Sequence, residues 1–421
     1  MNKNIFTYLF LMLSALLLTS CLKDQEDVFE KSASIRSAEY LENARNILTG
    51  AENGWVMNYY PDNLQSYGGY SYVLKFNESN VTTYFINGEY ESKAQGDGSV
   101  VSVPVPETST YSLTNEDGPV IAFDTYSNYL HYFATPSAGA YEAKGGDFIF
   151  IILNISEDEN TITLKGNRSG NEVKLYRNTM TPEEYITRNK AIIDTQLYEV
   201  FVNGDVSMTL DLETQQVTMA VGEESEDQSF ILTDKGLRFY QPVTVGGKTF
   251  DSFSYDSANN TYTSDDNAGL VLTGTLPDGW QSYEDLAGTY SVGDHNITVK
   301  ANGDGETYTI SGMADGITGD ITATYKYTTG SFVLSPQYIG PYSSRYYIWL
   351  LAHSPEGDLT WDTSIKFKGH NSATEPLTIT FSCAGYDTFW AGAFEEDPPT
   401  GDSYAGYWEQ YSNPMTFVRV E

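Results

Sequence analysis

The sequence predicts a mainly β protein with two short helices: an N-terminal α+β region, then a C-terminal all-β domain built as a lipocalin-like barrel or a β-sandwich. Three observations carry that prediction. The chain holds 33 Tyr and 20 Phe against 23 Lys plus Arg, and aromatic residues favour pleated, half-buried surfaces. Short runs such as "VSMTLDL", "QVTMAV" and "SFILTD" recur with Gly, Asn or Asp between them, the spacing of barrels and sandwiches. Two stretches carry helical signals instead.

The chain opens with Lys3 and an apolar run from Ile5 to Leu18. That run has signal-peptide length and falls short of the ~20 residues of a membrane-spanning helix. It ends in Leu18-Thr19-Ser20-Cys21, the pattern of a bacterial lipobox. Small residues let the signal peptidase close on the backbone, and the Cys21 thiol receives the diacylglycerol. Residues 1–20 therefore read as a lipoprotein signal peptide, Cys21 as the lipidation site, and 21–27 as an acidic tether. Two or more acyl chains anchor a protein stably, so the membrane is an expected partner, reached through the lipid. An acidic run behind the lipid-bearing cysteine resembles the surface-export signal of glycan-utilising Gram-negative gut anaerobes. The expected location is the outer membrane, facing the cell exterior.

Past the tether, "SIRSAEYLENARNIL" repeats Ile35, Ala38, Leu41, Ala44 and Leu48 at helical spacing, with Ser37 as the cap and Gly50 as the stop. After Gly54 the pattern turns to strands. "DFIFIILNI" is so apolar that it reads as buried on both faces, and "YLHYFAT" reads as a strand. Thr181-Pro182-Glu183-Glu184 starts the second helix, with a capping hydroxyl, Pro at the first helical position and acids on the positive end of the dipole. Strands then run on to the end. Leu276-Pro277-Asp278-Gly279 marks the main boundary, which divides residues 28–276, with a subdomain split near 195, from an all-β domain over 277–421.

The formal charge of −34 opposes nucleic acid as a partner. With Cys21 lipidated, Cys383 is the remaining thiol, so no intramolecular disulfide and no cysteine metal cluster is expected. The four histidines, His131, His295, His353 and His370, show no metal-pair spacing. No nucleophile elbow or phosphate-cradling loop is present. No cofactor and no catalytic residue is expected.

Four stretches agree in order and spacing with a known family: "DVFEKSASIRSAEYLENARNILTGAENGWVMNYYP", "GGYSYVLKFN", "TYSLTNEDGPVIAFDTYSNYLHYF" and "GGDFIFIILNISEDENTITLKGNRSGNEVKLYR". Over roughly Val28 to Tyr240 the chain resembles the uncharacterised surface lipoproteins catalogued as domain-of-unknown-function family forty-three-zero-two. The resemblance implies an outer-membrane lipoprotein and, as a partner, a SusC/SusD-like uptake complex. It brings no site residues.

The stretch with the most binding chemistry is "YDTFWAGAFEEDPPTGDSYAGYWEQY", Tyr386 to Tyr411. Sugar rings stack their C–H faces on indoles and phenols while carboxylates accept their hydroxyls, and a long loop with both makes a glycan-binding rim. Trp390, Tyr404, Tyr407 and Trp408 are the candidate ligand-binding residues. The same alternation of rings and small residues also serves strand packing. Glu395, Glu396 and Asp397 are adjacent acids, which do not set the separation a glycosidase requires. The expected role is non-catalytic capture of an extracellular nutrient, a glycan first, beside an uptake system. The alternatives are a surface adhesin or structural lipoprotein that binds protein, and a glycoside hydrolase.

Overall fold

The computed structural model describes residues 32–94, 99–116, 118–136 and 143–420. The signal peptide, Cys21 and the acidic tether lie outside these described residues. Among the described residues no helix is long and apolar enough to cross a membrane.

The first helix, α1, spans Ala33–Thr49. Its cap is Ser32 and not Ser37, and the Ser32 hydroxyl accepts from Ile35 N at 3.4 Å. Ser37 lies inside the helix, so its hydroxyl is a turn too late to serve the first free amides. Ala44, Ile47 and Leu48 bury its apolar stripe. That stripe packs on a nine-stranded antiparallel sheet in which strand Trp55–Tyr59 is flanked by Tyr70–Phe76 and by the central strand Glu172–Arg177. Alternation sends Trp55, Met57 and Tyr59 to one face, where the Trp55 indole donates to Leu48 O of α1 at 3.0 Å. Val56 and Asn58 point to the opposite face. There the second helix, α2 (Pro182–Thr195, capped by Thr181), lies against the sheet.

Two strand readings need correction. Strand Ile149–Ile155 alternates, with Phe150 and Ile152 buried, Leu153 52% exposed and Phe148 just before it 37% exposed. It lies near one end of the sheet, where only one face is covered. The Tyr129–Thr135 stretch forms successive turns rather than a strand, because the Ser127 hydroxyl and backbone carbonyls take its amides, as in His131 N to Ser127 O at 3.0 Å.

After α2 the chain closes an eight-stranded barrel of consecutive neighbours, from Val200–Asn203 to Val271–Thr275, with Val200 paired to Thr275. Eight strands leave room for side chains alone, and Phe201, Met208, Met219, Phe230, Phe250 and Tyr262 fill the inside. The sheet docks on this barrel through Gly69 N to Phe230 O at 2.9 Å and Ser71 Oγ to Leu232 O at 2.8 Å. Gly68 sits at φ +69°, and a Cβ there would strike Thr214 and Gln215 of the barrel.

Residues 288–420 close a second eight-stranded barrel, from Gly288–Val292 to Thr416–Val420. This answers the choice between barrel and sandwich. Two excursions leave it, one between Leu334 and Phe367 and one between Ser382 and Thr416. They pair with each other into a five-stranded sheet laid on the barrel.

Candidate functional site: an aromatic sheet face

The excursion sheet is organised around strand Tyr346–His353, paired to Thr388–Phe394, which pairs in turn with Tyr404–Gln410. The stretch read as a loop is therefore two antiparallel strands joined by a short turn. Register sorts the residues. Ile348, Leu350 and Ala352 lie opposite Ala393, Ala391 and Phe389 and pack into the C-terminal core. Alternation then turns Tyr347, Trp349, Leu351 and His353 to the other face, opposite Phe394, Gly392, Trp390 and Thr388, where Leu351 and Phe394 are themselves fully buried. Tyr338 stands opposite Trp349, Tyr407 opposite Gly392, and Tyr404 opposite Phe394.

The result is three groups of rings on one face. The His353 imidazole stacks on Trp390 at 4.5 Å and 9°, and its Nδ1 lies 2.8 Å from Asp387 Oδ1. Tyr407 stands edge-on to Trp390 at 6.1 Å and is 65% exposed. Tyr404 lies 5.5 Å from Phe394, and Trp361 approaches Phe394 from the side at 5.4 Å. Tyr338 bridges Trp349 and Tyr347 at 6.0 and 6.3 Å. Gly392 lets Leu351 and the Tyr404 ring pack directly against its backbone, where a Cβ would clash with Leu351. The Trp349 indole Nε1 is buried and has no partner among the described residues. Burial pushes the Tyr338 and Tyr404 hydroxyls above their usual range, so both remain donors at neutral pH.

Of the four ring residues expected to bind, Trp390, Tyr404 and Tyr407 share this face, and Trp408 does not. The ladder shifts between Ala391 and Gly392, with Glu409 opposite Ala391 and Tyr407 opposite Gly392. That bulge leaves Trp408 unpaired and turns it toward the barrel. Its indole donates to Asp315 O at 3.0 Å and its ring lies 4.3 Å from Tyr342. Tyr338, Tyr347, Trp349 and Trp361 were missed in the sequence. For Tyr347 and Trp349 the signal was the alternation in "YYIWLLAH", which lies well before the stretch singled out.

The acids on the adjoining turn do not converge. Glu395 is held by Arg345 at 2.6 Å, and Glu396 lies near Thr400. His131 sits in a turn rather than a strand, between the rings of Tyr126 and Phe148, with its Nδ1 accepting from Ser127 N at 3.1 Å. His295 faces Glu409 and His370 faces Ser382. Cys383 lies just past the end of its strand and is half-buried. Among the described residues no three His, Cys, Asp or Glu side chains gather into a metal-binding group.

The family described as Domain of unknown function (DUF4302) matches residues 25–257. A second domain of unknown function, DUF4987, matches residues 263–384. The second match stops before the strand that carries Trp390. No curated protein matches the chain.

Proposed function

The chain belongs to the DUF4302 family through residues 25–257, and from that premise we propose a surface-exposed outer-membrane lipoprotein, anchored at Cys21, that captures an extracellular glycan without cleaving it. In this reading it is an accessory to a SusC/SusD-like uptake complex, which takes over the captured sugar. The family description names no activity, so the role is argued from the residues. The acyl chains at Cys21 hold the protein to the membrane, and the acidic residues behind it give a solvated spacer.

The observation that carries the reading is the gathering of Trp390, Tyr407, Tyr404, Trp349 and Tyr338 on one sheet face. Rings gathered on one sheet face offer stacking surfaces to the C–H faces of a saccharide, and phenol and indole donors beside them meet the hydroxyls. Rings on paired strands are held in place before binding, so little ordering is needed on contact.

Affinity electrophoresis and retention on a glycan panel test this. Trp390→Ala with Tyr407→Ala removes two rings, each contributing about 0.5–1.5 kcal/mol beyond its area. Retention should fall about tenfold or more, while Trp408→Ala should leave it unchanged if the fold holds. Equal retention by the double variant would take the face out of consideration. Absence of retention by the parent protein on every glycan would sink the role. For the anchor, Cys21→Ser should release the protein from the membrane fraction, and persistent membrane association would rule the lipid out.

A further inference from the structure

We infer a second binding site in the cleft between the N-terminal sheet and the middle barrel, for a single small polyhydroxylated carboxylate of the hexuronate class. The cleft has two lobes, of about 300 and 180 Å³, and Asn58, Tyr176 and Arg238 line both. Its floor is the outward face of strands Trp55–Tyr59 and Glu172–Arg177, where Val56 pairs with Tyr176 and Asn58 with Lys174. Its roof is the barrel strand that starts at Gly236.

Polar groups converge there. The Arg238 guanidinium lies over the Tyr176 ring at 5.1 Å and makes no hydrogen bond to the described residues, and its Nε is buried. The carboxylate beside it, Asp251, is 3.9 Å away, beyond hydrogen-bond length. Burial raises the Asp251 carboxyl, and Arg238 offsets this only in part. Asn58 is 8% exposed, and its side chain opens onto both lobes. Tyr60, which lines the smaller lobe, is 3% exposed with a buried hydroxyl lacking a partner.

The buried Tyr60 hydroxyl and the buried Arg238 Nε, whose ion pair with Asp251 is long at 3.9 Å, each cost free energy when left without a hydrogen bond, native proteins leave few such groups, and the Asn58 amide faces the same space. Their convergence on one cavity points to an occupant that satisfies them. All three offer donors, and the cation is the planar fork that matches a carboxylate in two parallel bonds. At the rim of the larger lobe, the Lys235 ammonium adds charge, while the Asp234 carboxylate can receive ligand hydroxyls. The larger lobe sits at the low end of ligand-pocket volumes, which admits one sugar ring and not a chain. In a protein of net charge −34, a cation held open in a cleft selects an acidic ligand over the neutral sugars that stack on flat rings. The site shares no residue with the aromatic face and does not depend on that reading.

Calorimetric titration of the detergent-solubilised full chain with glucuronate and galacturonate tests it, with glucose as the neutral control. At least one uronate should bind saturably and glucose much more weakly. Arg238→Gln should weaken uronate binding about tenfold or more, the range for hydrogen bonds to a charged group, and Lys235→Gln at the exposed rim by a smaller factor. A thermal melt checks that each variant is folded, and the Lys235 result stands if Arg238→Gln is not. The Trp390→Ala, Tyr407→Ala double variant should bind uronate as the parent does. Four results would overturn the inference: no heat with either uronate at millimolar concentration, glucose binding as tightly as the uronates, folded variants at 235 and 238 that all bind like the parent, or loss of uronate binding in the aromatic-face variant.

Discussion

The two barrels close with the same number of strands and differ in what they do with the rest of their chain. The middle barrel passes from strand to neighbouring strand with tight turns. The C-terminal barrel leaves its wall twice, after Leu334 and after Ser382, and builds an extra sheet from the two excursions. Both interiors are filled with rings and aliphatic side chains, so neither offers a lumen as a ligand site. Binding surface has to come from outside the wall. In the C-terminal barrel it comes from the excursion face, and in the middle barrel from the seam with the N-terminal sheet. Their contacts differ too. The middle barrel meets the sheet through buried hydrogen bonds, including Asn189 Nδ2 of α2 to Leu232 O at 2.6 Å. It meets the C-terminal barrel through ion pairs, with Lys326 against Glu199 and Glu213, and Lys368 against Asp211 and Glu213.

The largest expected effect breaks one barrel at a time. Phe201 in the middle barrel and Phe332 in the C-terminal barrel are both fully buried. Truncation of either to Ala should cost about 3–5 kcal/mol. Because of the different seams, the losses should spread differently. Hydrogen exchange should show Phe201→Ala loosening the N-terminal sheet together with the middle barrel, while Phe332→Ala loosens the C-terminal barrel and leaves the sheet protected. Equal loosening of all three regions by both variants would refute the distinction between the seams.

A smaller effect sharpens the ionic seam. Burial alone would lower the Lys368 ammonium, but Asp211 and Glu213 outweigh it and hold it above its usual range. Burial alone would raise Asp211, but Lys368 and the amides of Thr214 and Glu213 outweigh it and hold it below. A lowered carboxyl stabilises the fold above its unfolded value of about 3.9, and that contribution is lost as pH falls through the folded value. A raised ammonium contributes below its unfolded value of about 10.4 and loses the contribution as pH climbs through the folded one. The coupling is therefore present from about pH 4 to pH 10. With these partners part-exposed, Lys368→Met should cost about 1 kcal/mol or less in that window. Denaturant titrations should find the difference between variant and parent shrinking below pH 3. A difference that persists there would mean that Lys368 acts through packing and not charge.

Much of this architecture was legible locally. Thr181-Pro182-Glu183-Glu184 announced α2, and the change of pattern after Gly54 announced the first strand at Trp55, because caps and turns use residues adjacent in sequence. Closure was not legible, since Val200 and Thr275 pair across the whole barrel with no local trace. The aromatic face was half legible. Trp390, Tyr404 and Tyr407 lie in one ring-rich stretch, but their partners Trp349, Tyr347 and Tyr338 arrive from the other excursion, and only register decides which side each ring takes. Trp408 turned inward because of one bulge, which no composition foretells. The cleft at Arg238 was silent, because its three polar groups come from two bodies that meet only in the folded chain.

The smallest effect on stability separates the aromatic face from ordinary packing. Trp349 stands outward between Tyr338 and Gly392, its indole nitrogen buried and without a partner among the described residues. If this face only packs, an unused donor there is a cost with no return, and Trp349→Phe should be close to neutral for stability, within about 1 kcal/mol, since it removes ring area and an unsatisfied polar group together. If the face holds a saccharide, the same nitrogen is the donor for one of its hydroxyls. Trp349→Phe then keeps the stacking surface and loses that hydrogen bond, so glycan retention should weaken about threefold to tenfold at unchanged stability. The converse change, Gly392→Ala, drives a methyl into Leu351 and against the Tyr404 ring, so it displaces the face and should weaken retention by at least as much. Retention unchanged in both variants would return Trp349 to packing and confine binding to the exposed Trp390–Tyr407 end.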